Sequence, residues 1–250
     1  MPAVNTLSGQ VALVTGAARR IGAAIATQLH SAGASVAIHY RGSAEEALAL
    51  AESLNAERAN SAATFQADLL DMAQLETMVS SVCDWQSRLD ILVNNASSFY
   101  PTPPGTITET QWDDLLGSNL KAPLFLSQAA LGALRETRGS IVNIVDIHAL
   151  RPLKDHTVYG PAKAGLAMLT RSLAKDLAPE IRVNGVAPGA ILWPEDDMSE
   201  ATKQSILRQV PLERAGEPDD IAGCVLYLVR DAAYVTGQII AVDGGRSVGW

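Results

Sequence analysis

The chain has 250 residues, 48% of them hydrophobic, which is enough to bury one large core, so we expect a single domain over 1–250. Its 19 Lys and Arg against 27 Asp and Glu give a formal net charge of -8, which excludes the basic stripe that nucleic-acid binding requires. No run approaches the roughly 18 apolar residues of a membrane span, and no signal-peptide pattern precedes the first strand, so we expect a cytoplasmic protein without a membrane partner.

Short apolar runs alternate with longer helix-patterned segments along the chain. The runs rich in β-branched residues are predicted to be strands, at 11–15, 35–40, 64–67, 91–94, 141–145, 182–186 and 238–242. Between them, Gly33 is predicted to stop the first helix, and 43–46 and 108–111 each match a capping box. Later helices run to about Leu134 and Ala178. This alternation predicts an α/β fold of the Rossmann type, a doubly wound parallel sheet of about seven strands with helices on both faces.

The segment from Ala190 to Val210 departs from this alternation. After Pro188-Gly189 it carries Trp193-Pro194 and the acidic run 195–197 before helical character resumes. A loop of this length at the edge of an active site is typical of a lid, so we expect a substrate lid over 190–210.

The turn from Thr15 to Gly22 joins the first strand to the first helix and is the expected place for a dinucleotide. Free backbone N–H groups and the helix dipole favour a pyrophosphate there, and the residues concerned are Gly16, Arg19, Arg20, Ile21 and Gly22. The middle glycine of a dinucleotide fingerprint is missing, and Arg20 stands in its place. An ordinary turn between a strand and a helix is the alternative.

The end of the second strand, His39-Tyr40-Arg41-Gly42-Ser43, supplies no carboxylate for a ribose 2′-hydroxyl. Arg41 and Ser43 could instead hold a 2′-phosphate, which favours NADPH, although Arg41 could also be a solvated loop cation. Asp68-Leu69 follows the third strand and could accept from the adenine amino group. Asn95-Ala96-Ser97 follows the fourth, where small residues let the backbone approach a cofactor.

Tyr159 and Lys163 lie four residues apart at the start of a predicted helix, which puts both on one face. A cation beside a phenol stabilises the phenolate and lowers the phenol pKa from about 10, so we expect Tyr159 to be a usable proton donor. A partly buried tyrosine beside a surface lysine is the alternative.

With these residues in this order, the chain resembles the short-chain dehydrogenases/reductases over essentially its whole length. The resemblance is carried by Thr15–Gly22, Asn94–Ala96, Asn119, Tyr159, Lys163, Pro188-Gly189 and Val242–Gly245. It implies that Tyr159 is the acid, that Lys163 binds the nicotinamide ribose, and that Asn119 helps to hold a proton-relay water. Pro188-Gly189 would line the nicotinamide. Members commonly form tetramers through two long helices, so the resemblance also implies a homotetramer packed through the apolar stretches 122–134 and 164–174.

One position departs from that family and favours a subgroup. The family usually has a catalytic serine about thirteen positions before the tyrosine, and this chain has Asp146. With this carboxyl and the run from Ser97 to Pro103, the chain resembles the pteridine reductases. The resemblance implies a pterin substrate stacked between Phe99 and the nicotinamide. It also implies that Arg20 reaches both the cofactor phosphates and the pterin, and that Ser97 forms a hydrogen bond close to the pterin. The turn after the second strand differs from that subgroup, which tends to have His-Tyr-His-Arg-Ser where this chain has His39-Tyr40-Arg41-Gly42-Ser43.

A carboxyl group suits the reduction of a pterin C=N bond, because a ring nitrogen must gain a proton as hydride reaches the adjacent carbon. Asp146 could position the Tyr159 phenol or supply the proton through it. The alternatives are that Asp146 caps the following turn and that Phe99 is an apolar anchor under the lid.

Two competing functions remain from the sequence. A carbonyl reductase of the same fold, acting on a 3-oxoacyl thioester or a sugar, would not need Asp146 or Phe99. An NADP-binding sensor that has lost the serine would not need Asn119, Tyr159 and Lys163. His148 and His156 have no partners at metal-ligand spacing, so we interpret both as structural and expect no metal.

Overall fold

Parallel strands form one sheet at the centre of the fold. The structure, a computed structural model, describes residues 6–192 and 199–248. Its strands are β1 (Val11–Val14), β2 (Ser35–Tyr40), β3 (Ala62–Gln66), β4 (Ile91–Asn94), β5 (Ser140–Ile144), β6 (Arg182–Pro188) and β7 (Ile239–Val242). They lie in the order β3-β2-β1-β4-β5-β6-β7. The predicted doubly wound α/β fold is confirmed, and each strand starts and ends within two residues of its predicted bounds.

Helices connect the strands and cover both faces of the sheet. They are α1 (Arg20–Ser31), α2 (Ala44–Glu57), α3 (Met72–Gln86), α4 (Glu109–Leu116), α5 (Ala122–Thr137), α6 (Tyr159–Leu177), α7 (Glu200–Leu207) and α8 (Pro218–Leu226). A π-helical turn, Gly117–Lys121, joins α4 to α5, and a second one, Tyr227–Asp231, continues α8.

The predicted helix boundaries agree with the structure within three residues, except at one capping box. Gly33, with φ +111°, follows the end of α1, and Thr108 forms the predicted capping box with Gln111. The capping box predicted at Ser43 is wrong. Ser43 precedes α2, but its φ of -87° and ψ of 62° are not the extended conformation that turns a cap side chain back onto the helix, and its hydroxyl makes no cap bond.

Side-chain alternation along the strands explains the two helical layers. On β1, Ala12 and Val14 face the layer that contains α1 and α8, and Val11 and Leu13 face the layer that contains α3 and α5. All four are buried, so the strand is apolar throughout, as expected for a parallel sheet covered on both faces.

The order of the strands fixes the position of the candidate site. Val14 at the end of β1 pairs with Ile38 of β2 on one side and with Val93 of β4 on the other, and the chain winds outward in opposite directions from β1. Ligands of such sheets bind at the carboxyl ends of the strands beside this switch point. The turns after β1, β2 and β4 therefore converge.

The predicted lid over 190–210 is described only in part. Ile191 and Val210 near its two ends are buried, and α7 lies between them. Trp193-Pro194 and the acidic run 195–197 lie outside the described residues, so the lid stays a prediction.

Candidate active site

The glycine-rich turn after β1 packs so closely that two glycines have no room for a side chain. A Cβ on Gly16 would lie 3.0 Å from the Ala96 Cα, and Gly16 has φ +61°. A Cβ on Gly22 would lie 2.2 Å from the Gly16 carbonyl oxygen and 2.6 Å from the Asn95 Nδ2. The helix that follows therefore begins directly against the turn. Arg20 adopts φ +55°, a left-handed conformation that costs a non-glycine residue about 1–2 kcal/mol.

Thr15 and Asn95 hold the two sides of this turn together. The Asn95 amide donates to the Thr15 carbonyl at 2.8 Å and to the Gly16 carbonyl at 3.1 Å. The Thr15 hydroxyl accepts from the backbone N–H groups of Asn95 and Ala96 at 2.9 and 3.0 Å. The Asn95 side chain thus satisfies the backbone carbonyls of Thr15 and Gly16. Arg19, the N-cap residue of α1, makes no side-chain cap bond. This arrangement fits a dinucleotide, whose pyrophosphate would take the N–H groups at the start of α1.

His39 connects the glycine-rich turn to the two neighbouring strands. Its Nδ1 accepts from the Gly16 N–H at 3.0 Å, and its Nε2 lies 3.1 Å from the Ala67 carbonyl oxygen. The ring is 2% exposed, and burial lowers its pKa to about 4. These contacts make His39 a residue that holds the glycine-rich turn in place. The sequence had placed it among the cofactor-binding residues, and both of its ring nitrogens bond backbone groups of the protein.

The buried neutral imidazole of His39 is expected to make stability fall in acid. The folded-state pKa of about 4 lies below the 6.5 of a free histidine, so its contribution is complete above about pH 6.5. About 3 kcal/mol should be lost as the pH falls from 6.5 to about 4, at about 1.4 kcal/mol per pKa unit. Urea unfolding across this range checks the value against His39→Gln, which does not titrate. Equal losses in both proteins would contradict the assignment.

The outer residues of the cofactor site lie along the same edge. Arg41 is exposed and Tyr40 and Ser43 are half-buried at the end of β2, where no carboxylate is present. The backbone carbonyl of Arg41 accepts from Gln66 at the end of β3. Asp68 accepts from the Leu70 N–H, and Leu69 beside it is buried. The donors at the end of β2 fit a 2′-phosphate.

Pro188-Gly189 is held against the C-terminal glycine turn. A Cβ on Gly189 would lie 2.5 Å from the Asp243 Cβ. The Asp243 carboxylate accepts from the N–H groups of Gly245 and Ser247 at 2.9 and 2.6 Å. Asp243 therefore stabilises the turn that follows β7, and this turn packs against the loop after β6.

Asp146 and Tyr159, the predicted catalytic pair, are joined by a hydrogen bond. Asp146 follows β5, and Tyr159 begins α6; the phenol donates to the Asp146 Oδ2 at 2.7 Å. The other carboxylate oxygen accepts from the His148 backbone N–H at 2.8 Å. Asp146 therefore caps the following turn and also contacts Tyr159, and its catalytic role stays a prediction.

Lys163 lies on the same face of α6 as Tyr159, as the spacing predicted. Its Nζ is 5.8 Å from the centre of the phenol ring and donates to the Ile144 carbonyl at 2.8 Å. The predicted lowering of the phenol pKa is wrong. Burial, followed by the Asp146 carboxylate, raises the pKa of Tyr159 well above its usual value. Burial also lowers the pKa of Lys163 to about 8, which the Asp146 carboxylate partly offsets.

Asn119 lies in the π-helical turn between α4 and α5 and is fully buried. Its amide donates to the Ser98 carbonyl at 2.9 Å and to the Leu115 carbonyl at 3.0 Å. Its Oδ1 has no partner among the atoms of 6–192 and 199–248. A buried carbonyl oxygen without a donor fits an ordered water, and the relay role of Asn119 stays a prediction.

Phe99 lies at the mouth of the site with 48% of its side chain exposed. Its ring is nearly perpendicular to the Tyr159 ring, with centroids 4.8 Å apart and an interplanar angle of 76°. Ser97, two residues earlier, is exposed on the same irregular segment. The structure also places His156 against Phe99, and the sequence carried no local signal for this contact.

Within 6–192 and 199–248, no group of three or more His, Cys, Asp or Glu side chains could hold a metal ion. Across the same residues, none of the helices combines the length and the apolar character needed to span a membrane.

Comparison with known proteins gives two kinds of relative. The profile of a family described as Enoyl-(Acyl carrier protein) reductase matches residues 16–247. The chain is 41% identical over 280 residues to Pteridine reductase 1 of Leishmania tarentolae, covering 95% of this chain and 96% of that protein. It is 39% identical over 238 residues to a 3-oxoacyl-(acyl-carrier-protein) reductase of Staphylococcus aureus, covering 94% and 96%. A 3-oxoacyl-(acyl-carrier-protein) reductase of Synechocystis is 35% identical, covering 97% and 98%.

Proposed function

This chain is an oxidoreductase of the short-chain dehydrogenase/reductase family, and from that premise we propose that it is an NADPH-dependent pteridine reductase. Its substrates would be oxidised or dihydro pterins, reduced at C=N bonds, and dihydrofolate is a further candidate that the assay below tests. The observation that carries the proposal is the 2.7 Å hydrogen bond from Tyr159 to Asp146. A carboxylate at this position holds the phenol in place, so that the group that would deliver a proton to a ring nitrogen is fixed in the site.

The protein's residues would divide the work as follows. NADPH, when bound, supplies the hydride. Tyr159 gives its proton to the ring nitrogen next to the carbon that is reduced, so that C=N becomes CH–NH. Asp146 accepts the hydrogen bond of the phenol and holds it in place. Lys163 and the turn after β1 would hold the cofactor, and Arg20 and Ser97 lie on the segments that would meet the pterin.

A carbonyl reductase acting on a 3-oxoacyl thioester is the second candidate, because relatives with that name are almost as similar to this chain. The deciding experiment measures NADPH oxidation with biopterin, dihydrobiopterin, dihydrofolate and an acetoacetyl thioester side by side. Turnover of the thioester alone would exclude the pteridine reductase proposal.

NADPH is expected to bind more tightly than NADH. Arg41→Ala removes the exposed guanidinium at the end of β2 and should weaken NADPH binding roughly 10- to 100-fold, as expected for a charge-assisted hydrogen bond, with little effect on NADH. Fluorescence titration gives both Kd values, and Arg135→Ala, an exposed cation near the end of α5, is the control. Equal affinity of the wild-type protein for the two cofactors would exclude this role.

Phe99→Ala is expected mainly to raise the KM for a pterin. Stacking of a flat base-like ring on an aromatic side chain contributes about 1–3 kcal/mol, so the KM should rise roughly 5- to 150-fold. NADPH affinity should change little. Steady-state kinetics with dihydrobiopterin measures the effect, and an unaltered KM would leave Phe99 as an apolar anchor.

A homotetramer is part of the proposal. Leu124 and Phe125 on α5 are each 36% exposed and Met168 on α6 is 60% exposed, so apolar side chains remain on the two long helices. Sedimentation at equilibrium would test whether the helices pack between subunits.

A further inference from the structure

Two rings, Phe99 and His156, lie beside the Tyr159 phenol at the mouth of the site. They stack on each other with centroids 4.7 Å apart and an interplanar angle of 20°. His156 also approaches the edge of the Tyr159 ring, at 6.3 Å and 77°. Together with the contact between Phe99 and Tyr159, these contacts make one cluster in which each ring restricts the other two.

Phe99 depends on such neighbours because its backbone does not fix its ring. It lies between β4 and α4 in a segment without regular structure. A side chain on such a segment can adopt several rotamers unless packing selects one. His156 covers one face of the phenyl ring, and because Phe99 is still 48% exposed, ring surface remains accessible to a ligand.

His156 is itself tied to the catalytic helix. It forms an isolated parallel β-bridge with Thr102, three residues after Phe99. Its carbonyl accepts from the Gly160 N–H in the first turn of α6 at 3.1 Å. Its Nδ1 lies 2.7 Å from the Lys154 carbonyl oxygen, which sets the direction of the imidazole ring. The imidazole therefore keeps one position relative to Tyr159.

We propose that His156 is a positioning residue that orients Phe99, so that the free face of the phenyl ring is presented to a flat heteroaromatic substrate. The inference rests on the proposed pteridine reductase function and adds to it a source of preference for planar substrates. A 3-oxoacyl chain offers no ring to such a surface, whereas a pterin can stack on the phenyl ring with its flat ring system.

The test is a double-mutant cycle of His156→Ala and Phe99→Ala, measured as the KM and kcat for dihydrobiopterin and as binding of oxidised biopterin by fluorescence quenching. His156→Ala should raise the KM about 2- to 10-fold, as expected for the loss of one aromatic pair, with kcat nearly unchanged. His156→Phe, which keeps a stacked ring, should restore the KM to within about twofold of wild type. In the double variant, His156→Ala should add nothing to Phe99→Ala, because it acts through Phe99.

Each outcome separates the inference from the function on which it rests. A wild-type protein that does not turn over dihydrobiopterin removes the proposed function and this inference with it. Wild-type turnover with an unchanged KM in His156→Ala removes the inference alone. Additive losses in the double variant also overturn it, because His156 would then act independently of Phe99. Tyr234→Ala, a fully exposed aromatic residue outside the site, is the matched control and should match the wild type.

Discussion

Replacing Asp146 with alanine is expected to lower kcat for dihydrobiopterin by roughly 10²–10⁴-fold while NADPH still binds, as for the loss of an acid–base group. The carboxylate accepts the Tyr159 hydrogen bond and, after burial, is the second cause that raises the pKa of the phenol. Tyr159→Phe should be comparably damaging. The double variant should lose much less than the product of the two losses, since both residues serve one proton transfer.

Two further variants separate chemistry from structure at this position. Asp146→Asn keeps an acceptor for the His148 N–H but removes the charge, so turnover should fall although the turn is preserved. Because the Asp146 carboxylate raises the pKa of Lys163, its loss should move the alkaline limb of the pH–rate profile to lower pH. Asp146→Ser should impair pterin turnover and admit weak ketone reduction. An Asp146→Ala protein that is folded, binds NADPH and reduces dihydrobiopterin at the wild-type rate sinks the proposal.

Gly22→Ala is expected to cost roughly 100-fold in kcat/KM, the loss that a displacement of about 1 Å can cause at a catalytic site. The added methyl group would overlap the Gly16 carbonyl oxygen at 2.2 Å and push the turn away from α1. Overpacking of this kind should also lower the free energy of unfolding by about 1–3 kcal/mol.

Gly223→Ala provides the matched comparison, because it makes the same change inside α8. The nearest atom to its added Cβ would be the Gln28 Nε2 at 3.8 Å, an ordinary contact. Removing glycine from a helix interior should raise stability by about 0.5–1 kcal/mol. Urea unfolding and NADPH titration of both variants check the pair. Normal NADPH binding by Gly22→Ala would show that the turn tolerates the displacement.

The sheet could be predicted closely because its signal is local. The central strands β1 and β4 are runs of apolar residues buried by helices on both sides, so their positions follow from composition alone. The π-helical turn at Asn119 could not be predicted, because its residues continue the helical pattern and only the extra residue per turn differs. The capping box at Ser43 failed for a similar reason, since its backbone angles depend on the tertiary path of the chain.

The candidate site was predictable where residues follow strand ends or share a helix face, as Tyr159 and Lys163 do. The direction of the Tyr159 pKa shift was not, because it depends on burial and on the approach of Asp146 from another element. His156 was missed because its contact with Phe99 joins two loops that lie far apart in sequence and meet through the bridge to Thr102. Spacing within one segment contains no information about such a contact.

The contact between Gly189 and Asp243 bears on the stage of synthesis at which the protein could first retain a dinucleotide. The glycine-rich turn leaves the ribosome early, but β1 receives its second partner only when β4 has been made. The loop at Gly189 gains its support only when Asp243 follows β7. Nascent chains that lack the last strand should therefore fail to retain a dinucleotide, and cofactor retention on stalled ribosomes would mark the final step of folding.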